Sequence, residues 1–190
     1  MNGMKKIILA SKSPRRKELL EKCGIAFACM PMDIDESLNE GETLEDKIRL
    51  LSRRKAQACL DTHPEAVVIG SDTIVTLDEE ILGKPKDRED AKRMLRELSG
   101  RTHRVITGLA VISSRRCYTD VSVSEVTFAP LSEKEIEDYA ASGECDDKAG
   151  AYAVQGLGGK FITRISGDYY AIMGLPLHLV YEQIKQLDSY

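Results

Sequence analysis

The chain has 190 residues, of which 42% are hydrophobic and 31% are charged, a balance typical of a soluble globular protein. Its formal net charge of −4 argues against a general nucleic-acid binder, and no apolar run approaches the roughly 18 residues that a membrane span needs. The five cysteines include no C-x-x-C pair, which indicates reduced thiols in a cytoplasmic protein and neither a disulfide framework nor a structural zinc site.

The first predicted elements are a short buried strand at residues 7–10 and a helix that follows directly. Ser13 suits the N-cap of this helix and Pro14 its first helical position. The junction carries two hydroxyls and two guanidinium groups, on Ser11, Ser13, Arg15 and Arg16. Because a helix start presents free N–H groups and a positive dipole end, this junction is a candidate phosphate site. The alternative is a capped helix with solvated arginines.

Three further helices are predicted from capping signals. Residues 43–46 form a capping box that opens a helix to about Leu60, and Asp87 caps the next helix. A second capping box at residues 132–135 opens a helix that ends near Ala141. The chain thus contains several well-marked helices between its strand signals.

Strand signals alternate with these helices. The predicted strands span residues 66–69, 74–75, a short segment ending near Leu82, 104–112, 118–128 and a segment near 161–165, and a final helix spans 175–187. The polar residues 71–73 predict a break between the first two strands. The alternation predicts an α/β fold, and the two adjacent long strands predict a mixed sheet with at least one antiparallel hairpin.

Asp72 is the sharpest candidate for catalysis, because it interrupts an otherwise apolar strand sequence. Burying a carboxylate is costly unless the group is paired or bound to a metal. An acid at such a break is placed to bind a divalent ion or to take a proton from water. The alternative is that Asp72 caps a turn through its own backbone.

Two lysines and one glutamate extend the candidate site. Lys55 lies on the apolar stripe of its helix, where a lysine usually snorkels to solvent but can instead meet an anion. Lys84 follows a strand and precedes a helix, so it is either a phosphate ligand or a solvated loop lysine. Glu36 belongs to the acidic loop 33–37, and most such clusters are solvated.

Glycines are densest in the loop-rich segment 142–159. Glycine lets a backbone approach a ligand closely, and Gln155 offers a donor and an acceptor to the edge of a base. Neither the P-loop motif nor G-x-G-x-x-G occurs, and a Gly-rich turn without function is common. The cations at 15, 16, 55, 84 and 148 would neutralise a polyphosphate, and the acids at 36, 72 and 147 would hold a metal or a water. These are the groups needed to hydrolyse a phosphoanhydride.

Seven stretches, in this order, resemble the Maf family of nucleoside triphosphate pyrophosphatases over nearly the whole chain. They are residues 10–16, 71–75, 83–85, 98–103, 147–152, 155–156 and 174–177. The resemblance implies an elongated mixed β-sheet with flanking helices and two lobes enclosing a cleft, similar to inosine triphosphatases. It also implies a single domain over residues 1–190 without a separable linker, often found as a homodimer.

The same resemblance implies a cytoplasmic, metal-dependent enzyme that cleaves a nucleoside triphosphate between the α- and β-phosphates, releasing the monophosphate and pyrophosphate. In the family, the acid matching Asp72 accepts a proton. The positions matching Arg15, Thr73 and Gln155 distinguish substrates. This chain resembles the branch acting on dTTP and UTP at those positions, whereas the branch acting on 7-methyl-GTP tends to carry Trp, Gln and Glu.

The sequence therefore predicts a dTTP/UTP pyrophosphatase whose Mg²⁺ or Mn²⁺ ion is held by Glu36 or Asp72, with neither nucleic acid nor membrane as a partner. The predicted phosphate-binding residues are Ser11, Ser13, Arg16, Lys55, Lys84 and Lys148. The pair Cys145-Asp146 replaces a Pro-Leu pair common in the family, so the conformation of that loop is not predicted. Two alternatives are a non-catalytic, nucleotide-binding regulator of cell division and a phosphatase acting on monophosphates.

Overall fold

A computed structural model of the chain describes residues 6–38 and 43–187. Its strands are β1 (Ile7–Leu9), β2 (Ala28–Cys29), β3 (Val67–Leu77), β4 (Glu80–Leu82), β5 (Thr102–Ser113), β6 (Arg116–Phe128) and β7 (Ile162–Ser166). Its helices are α1 (Pro14–Glu21), α2 (Leu44–Thr62), α3 (Arg88–Leu98), α4 (Glu133–Ala141), α5 (Tyr169–Met173) and α6 (Leu177–Leu187). Two 3₁₀ turns, Ala149–Ala151 and Leu157–Phe161, lie in or border the segment predicted to be rich in loops.

The seven strands of the described chain belong to one sheet, in the order β2-β1-β3-β5-β6-β7, with β4 paired to β3. Strand β1 is parallel to both β2 and β3, whereas β4 is antiparallel to β3 and β7 is antiparallel to β6. Strands β5 and β6 are neighbours joined by a two-residue turn, a connection that only antiparallel strands can use. The predicted α/β class and mixed sheet with flanking helices are therefore confirmed.

The chain forms two compact units, each with its own hydrophobic core. The first unit contains the described residues up to Asp72, Thr107–Ser122, and those from Gly174 onward; the second contains Thr73–Ile106 and Val123–Met173. One core of the first unit includes Ile8, Ala10, Ala56, Cys59, Leu60, Ala66 and Val68. The core of the second unit includes Leu95, Leu98, Phe128, Tyr139, Tyr152 and Phe161. Among the described helices, none is both long and apolar enough to cross a membrane.

The predicted helix starts are confirmed by their hydrogen bonds. The side chains of four N-cap residues accept from the backbone N–H three residues further on, and these caps are Ser13, Thr43, Asp87 and Ser132. The capping box at Ser132 is complete, because the Glu135 carboxylate accepts from the Ser132 N–H at 2.8 Å. At Thr43, the hydroxyl donates to the Asp46 carboxylate at 2.7 Å. Local capping chemistry thus determines where these helices begin.

The predicted break at residues 71–73 is wrong, because β3 runs uninterrupted from Val67 to Leu77. The Ser71 hydroxyl donates to the carbonyl oxygen of Gly108 at 2.7 Å, and Asp72 pairs with Lys55. Both polar side chains therefore have partners without a turn in the backbone. The interpretation of Asp72 as a turn cap is wrong for the same reason.

The chain after residue 166 also differs from its prediction. Helix α6 begins at Leu177 instead of residue 175, and the short helix α5 precedes it. The Asp168 carboxylate accepts from the N–H groups of Tyr170 and Ala171, at 2.8 and 3.2 Å, and so caps α5.

Candidate active site

The loop between β1 and α1 is shaped by its own hydroxyls. The Ser11 side chain is buried and accepts from the Ser13 N–H at 3.1 Å, and the Ser13 hydroxyl accepts from the Arg16 N–H at 3.4 Å. A hydroxyl oxygen that accepts a hydrogen bond still carries its own hydrogen to donate. The two serines can therefore organise the helix start and offer donors to an anion there.

Arg16 is fixed by a residue near the other end of the chain. Its Nε donates to the carbonyl oxygen of Gly174 at 2.7 Å, and the Ser71 hydroxyl donates to the same oxygen at 3.0 Å. Gly174 has a φ of +125°, which side chains rarely adopt. No sequence signal indicates this contact, because Arg16 and Gly174 are 158 positions apart.

The environment of Arg16 contains both signs of charge. Burial lowers the pKa of Arg16; the nearby carboxylates of Asp72 and Glu36 act in the opposite direction. A guanidinium group is not deprotonated in proteins, so Arg16 remains charged despite this shift. Arg16 is therefore a half-buried, permanently positive group with a fixed Nε.

The Lys55 ammonium contacts both acids that the sequence predicts to hold the metal. Its Nζ lies 2.6 Å from Asp72 Oδ1 and 2.9 Å from Glu36 Oε1. The Lys55 and Asp72 side chains are 13% and 17% exposed, whereas Glu36 is 62% exposed. The interpretation of Lys55 as a lysine that snorkels to solvent is therefore wrong. We call Glu36, Lys55 and Asp72 the carboxylate centre.

Two glycines let α2 approach the sheet closely enough for this pairing. A Cβ atom at Gly70 of β3 would overlap the carbonyl oxygen of Ser52, and one at Gly108 of β5 would overlap the Ser52 hydroxyl. Helix α2 consequently packs against these strands without intervening side chains at that point. Lys55, one turn further along α2, meets Asp72 two residues after Gly70.

The carboxylate centre also fits a divalent cation. Glu36 and Asp72 each place an oxygen within 2.9 Å of one ammonium group, so a cation in that position meets two carboxylates. The hydrogen bond from Lys55 is the main cause that lowers the pKa of Glu36, which keeps this carboxylate ionised. Within the described ranges, no cluster of three or more His, Cys, Asp or Glu residues could hold a metal. Two carboxylates nevertheless suit Mg²⁺, which usually takes its remaining ligands from water and substrate phosphates.

The second unit contains the other predicted residues. Gln155 and Lys84 are exposed, Thr73 is half-buried in β3, and Lys148 is 16% exposed. The Lys148 ammonium donates to the Glu144 carbonyl at 3.0 Å and to the Asp147 carboxylate at 2.7 Å. Lys148 is therefore already engaged by its own loop.

The loop of Lys84 contacts the glycine-rich segment within the second unit. The carbonyl oxygen of Gly83 accepts from the Gly150 N–H at 3.1 Å. Gly150 has a φ of +70°, and a Cβ atom there would lie 2.9 Å from Val75. The glycine at this position therefore lets the loop pack onto β3 next to Lys84.

His103 belongs to the interior of the second unit. It is buried, and its Nε2 lies 2.7 Å from the Tyr152 hydroxyl. Burial lowers the pKa of His103 to about 4, so the ring is neutral at physiological pH. The imidazole ring packs edge-on against the rings of Phe128 and Tyr152, with centroid distances of 5.2 and 5.3 Å.

The structure thus places the predicted residues in two groups. The first unit holds Ser11, Ser13, Arg15, Arg16, Glu36, Lys55 and Asp72, and the second holds Thr73, Lys84, Lys148 and Gln155. Within the first group, the Lys55 ammonium contacts the carboxylates of both Asp72 and Glu36. Such a set, with a paired acid beside fixed cations, is suited to phosphate-transfer chemistry.

Comparison with known proteins gives the family. A sequence profile described as Maf-like protein matches residues 6–187, and the chain therefore belongs to the Maf family. A relative from Bacillus cytotoxicus, named dTTP/UTP pyrophosphatase, is 47% identical over 186 residues, which cover 98% of this chain and 97% of that protein. A relative of the same name from Vibrio parahaemolyticus is 51% identical over 172 residues, covering 90% of this chain and 91% of its own.

Among solved structures, the Ham1 protein of Staphylococcus aureus is similar at 16% sequence identity and a TM-score of 0.46. The similarity covers 66% of this chain and 72% of that one.

Proposed function

We propose that this protein is a nucleoside triphosphate pyrophosphatase that hydrolyses dTTP and UTP between the α- and β-phosphates. The observation that carries the proposal is the carboxylate centre, in which Lys55 holds the half-buried Asp72 beside Glu36. Full-length relatives named for this activity support the choice of reaction and substrates.

Asp72 is assigned as the base that takes a proton from the attacking water. Lys55 bonds its Oδ1 at 2.6 Å, so Oδ2 is the oxygen assigned to accept the proton. The ammonium of Lys55 fixes the orientation of the carboxylate, which general-base catalysis requires. Because β3 carries Asp72 on a paired strand, the position of the base is rigid.

Glu36 and Asp72 are assigned as the residues that would hold Mg²⁺ or Mn²⁺. When bound, such an ion supplies Lewis-acid polarisation of phosphate oxygens. Lys55 keeps the two carboxylates together by neutralising part of their charge. A divalent ion and the Lys55 ammonium would compete for the same carboxylate oxygens.

The remaining residues are assigned to binding. We infer that Ser11, Ser13, Arg16, Lys55, Lys84 and Lys148 bind the phosphates, because fixed donors stabilise charge as it develops on phosphate oxygens. We assign selection of the base to Arg15, Thr73 and Gln155. The Gln155 amide can donate to O4 of a pyrimidine and accept from its N3–H.

Product analysis tests the reaction directly. The protein is incubated with UTP and Mg²⁺, and the products are separated by anion-exchange chromatography. UMP and pyrophosphate support the proposal, whereas UDP and phosphate contradict it. A protein that leaves UTP intact but releases phosphate from UMP in a parallel incubation also contradicts it. A protein that binds UTP without cleaving it would instead be the regulator of cell division that the sequence also allows.

We also propose that the protein is a cytoplasmic homodimer. The family resemblance supports this assembly, and the reduced cysteines expected from the sequence support the compartment. Sedimentation equilibrium of the purified chain tests the assembly, and a mass of one chain at micromolar concentration contradicts it.

A further inference from the structure

A half-buried glutamate holds the loop that carries Gln155. Glu144 Oε1 accepts from the Leu157 N–H at 2.9 Å, and its Oε2 accepts from the Gly158 N–H at 3.0 Å. The Tyr139 hydroxyl also donates to Oε2, at 2.7 Å. One carboxylate thus receives three hydrogen bonds, two of them from backbone groups just after Gln155. We call residues 153–158 the Gln155 loop.

Tyr139 extends this contact to the other side of Gln155. Its hydroxyl accepts from the Ala153 N–H at 3.1 Å while it donates to Glu144. The Tyr139 side chain is only 2% exposed, and its ring packs edge-on with Phe161 at 5.3 Å between centroids. Burial, with the hydrogen bond to Glu144, raises the pKa of Tyr139, so the hydroxyl retains its proton. The two side chains therefore fix the backbone before and after Gln155.

Gly156 makes this close contact possible. A Cβ atom at Gly156 would overlap the Glu144 carboxylate, so only glycine lets the carboxylate reach the backbone beside Gln155. The Gln155 side chain itself is exposed. The backbone of Gln155 is consequently held while its amide remains accessible to a ligand.

The contacts require Glu144 to be ionised. Desolvation acts to raise the pKa of Glu144, but the hydrogen bonds from Leu157, Tyr139 and Gly158 outweigh it and lower the pKa overall. An ionised carboxylate accepts at both oxygens, whereas an amide of the same shape accepts at only one. A glutamine at this position would therefore leave a backbone N–H or the Tyr139 hydroxyl without its acceptor.

We propose that Glu144, supported by Tyr139, is a positioning residue for selection of the base, an inference that rests on the proposed function. A site discriminates strongly between bases only if its donors and acceptors stay in place. Glu144 keeps the Gln155 amide in place by fixing the backbone after it, and Tyr139 fixes the backbone before it. Neither residue need touch the nucleotide.

The test compares Glu144→Gln with Glu137→Gln, a matched control at an exposed position on α4. The readout is the ratio of kcat/KM for UTP to kcat/KM for GTP. For Glu144→Gln we expect this ratio to fall about tenfold, mostly through a higher KM for UTP. Partial unfolding would lower the rates with both nucleotides equally and leave the ratio unchanged. Tyr139→Phe should lower the ratio in the same direction.

Amide hydrogen exchange of the nucleotide-free protein tests the contact independently of activity. The amides of Leu157 and Gly158 should exchange at least about tenfold faster in Glu144→Gln, and no faster in Glu137→Gln. Unchanged exchange, or faster exchange with an unchanged UTP-to-GTP ratio, overturns the positioning role while the proposed function stands. A wild-type protein that cleaves no nucleoside triphosphate overturns the proposed function and this role together.

Discussion

The carboxylate centre and the Gln155 loop are held in different ways. In the carboxylate centre, charged side chains from a loop, from α2 and from β3 meet one another. In the Gln155 loop, two side chains from one short stretch bond backbone N–H groups. The first arrangement joins opposite charges from three elements, whereas the second joins side-chain acceptors to backbone donors within one segment. Substitutions in the carboxylate centre should therefore affect turnover, and substitutions in the Gln155 loop should affect the choice of substrate.

Loss of the base should have the largest effect. Asp72→Asn keeps the shape of the side chain but removes the proton acceptor, so we expect turnover of UTP to fall by at least about a hundredfold. Steady-state kinetics with purified protein measures this loss. Asp61→Asn, at an exposed position on α2, should be near wild type. A folded Asp72→Asn protein with near-normal turnover would refute the assignment.

Removal of Lys55 should affect catalysis and metal binding in opposite directions. For Lys55→Met we expect kcat/KM for UTP to fall about tenfold to a hundredfold, because a cation near the phosphates is lost. Mn²⁺ binding without nucleotide, measured by calorimetry, should become tighter because the competing ammonium is gone. Arg53→Met, which removes an exposed cation from the same helix, should change neither quantity. Unchanged or weaker Mn²⁺ binding would show that the ion does not bind the two carboxylates that Lys55 contacts.

A substitution in the Gln155 loop should change the choice of substrate more than the rate of chemistry. Gln155→Glu replaces the amide donor with a second acceptor, so recognition of O4 is lost. We expect kcat/KM to fall about tenfold for dTTP and UTP, with a relative gain for bases that present donors. The measurement covers dTTP, UTP, CTP, GTP and 7-methyl-GTP. The same substrate ranking in both proteins would contradict the role of Gln155.

Protonation of Glu36 should have only a small effect on the stability of the fold. The hydrogen bond from Lys55 lowers the pKa of Glu36 in the folded protein, so the pair stabilises the fold at neutral pH. This stabilisation is lost as the pH falls through that lowered pKa. Because Glu36 is mostly exposed, Glu36→Gln should only slightly flatten the acid side of a plot of Tm against pH. A steeper plot would show that Glu36 destabilises the fold.

Local features of this fold could be predicted from the sequence, because each depends on residues close together in the chain. The four N-caps are examples, since each side chain bonds an N–H three residues away. The β5–β6 hairpin is another, because two long strands are joined by a two-residue turn. In both cases the signal and the structure that it specifies lie in the same short segment.

Contacts between distant residues could not be predicted in the same way. Asp72 and Lys55 were both recognised as unusual, yet nothing in the sequence shows that they are partners or that β3 continues through residue 72. Glu144 was missed altogether, because two of its three partners are backbone groups that carry no side-chain signal. The one available sign was Gly156, whose lack of a side chain matters only once the glutamate is known to lie beside it.

The contact between Arg16 and Gly174 has a consequence for protein synthesis. The two residues are 158 positions apart, and both belong to the first unit. During translation, Arg16 leaves the ribosome long before the carbonyl oxygen to which its Nε donates. A chain that terminates before residue 174 carries the whole carboxylate centre but lacks the acceptor that fixes Arg16. Arg16 can therefore reach its final position only after the chain has been synthesised through Gly174.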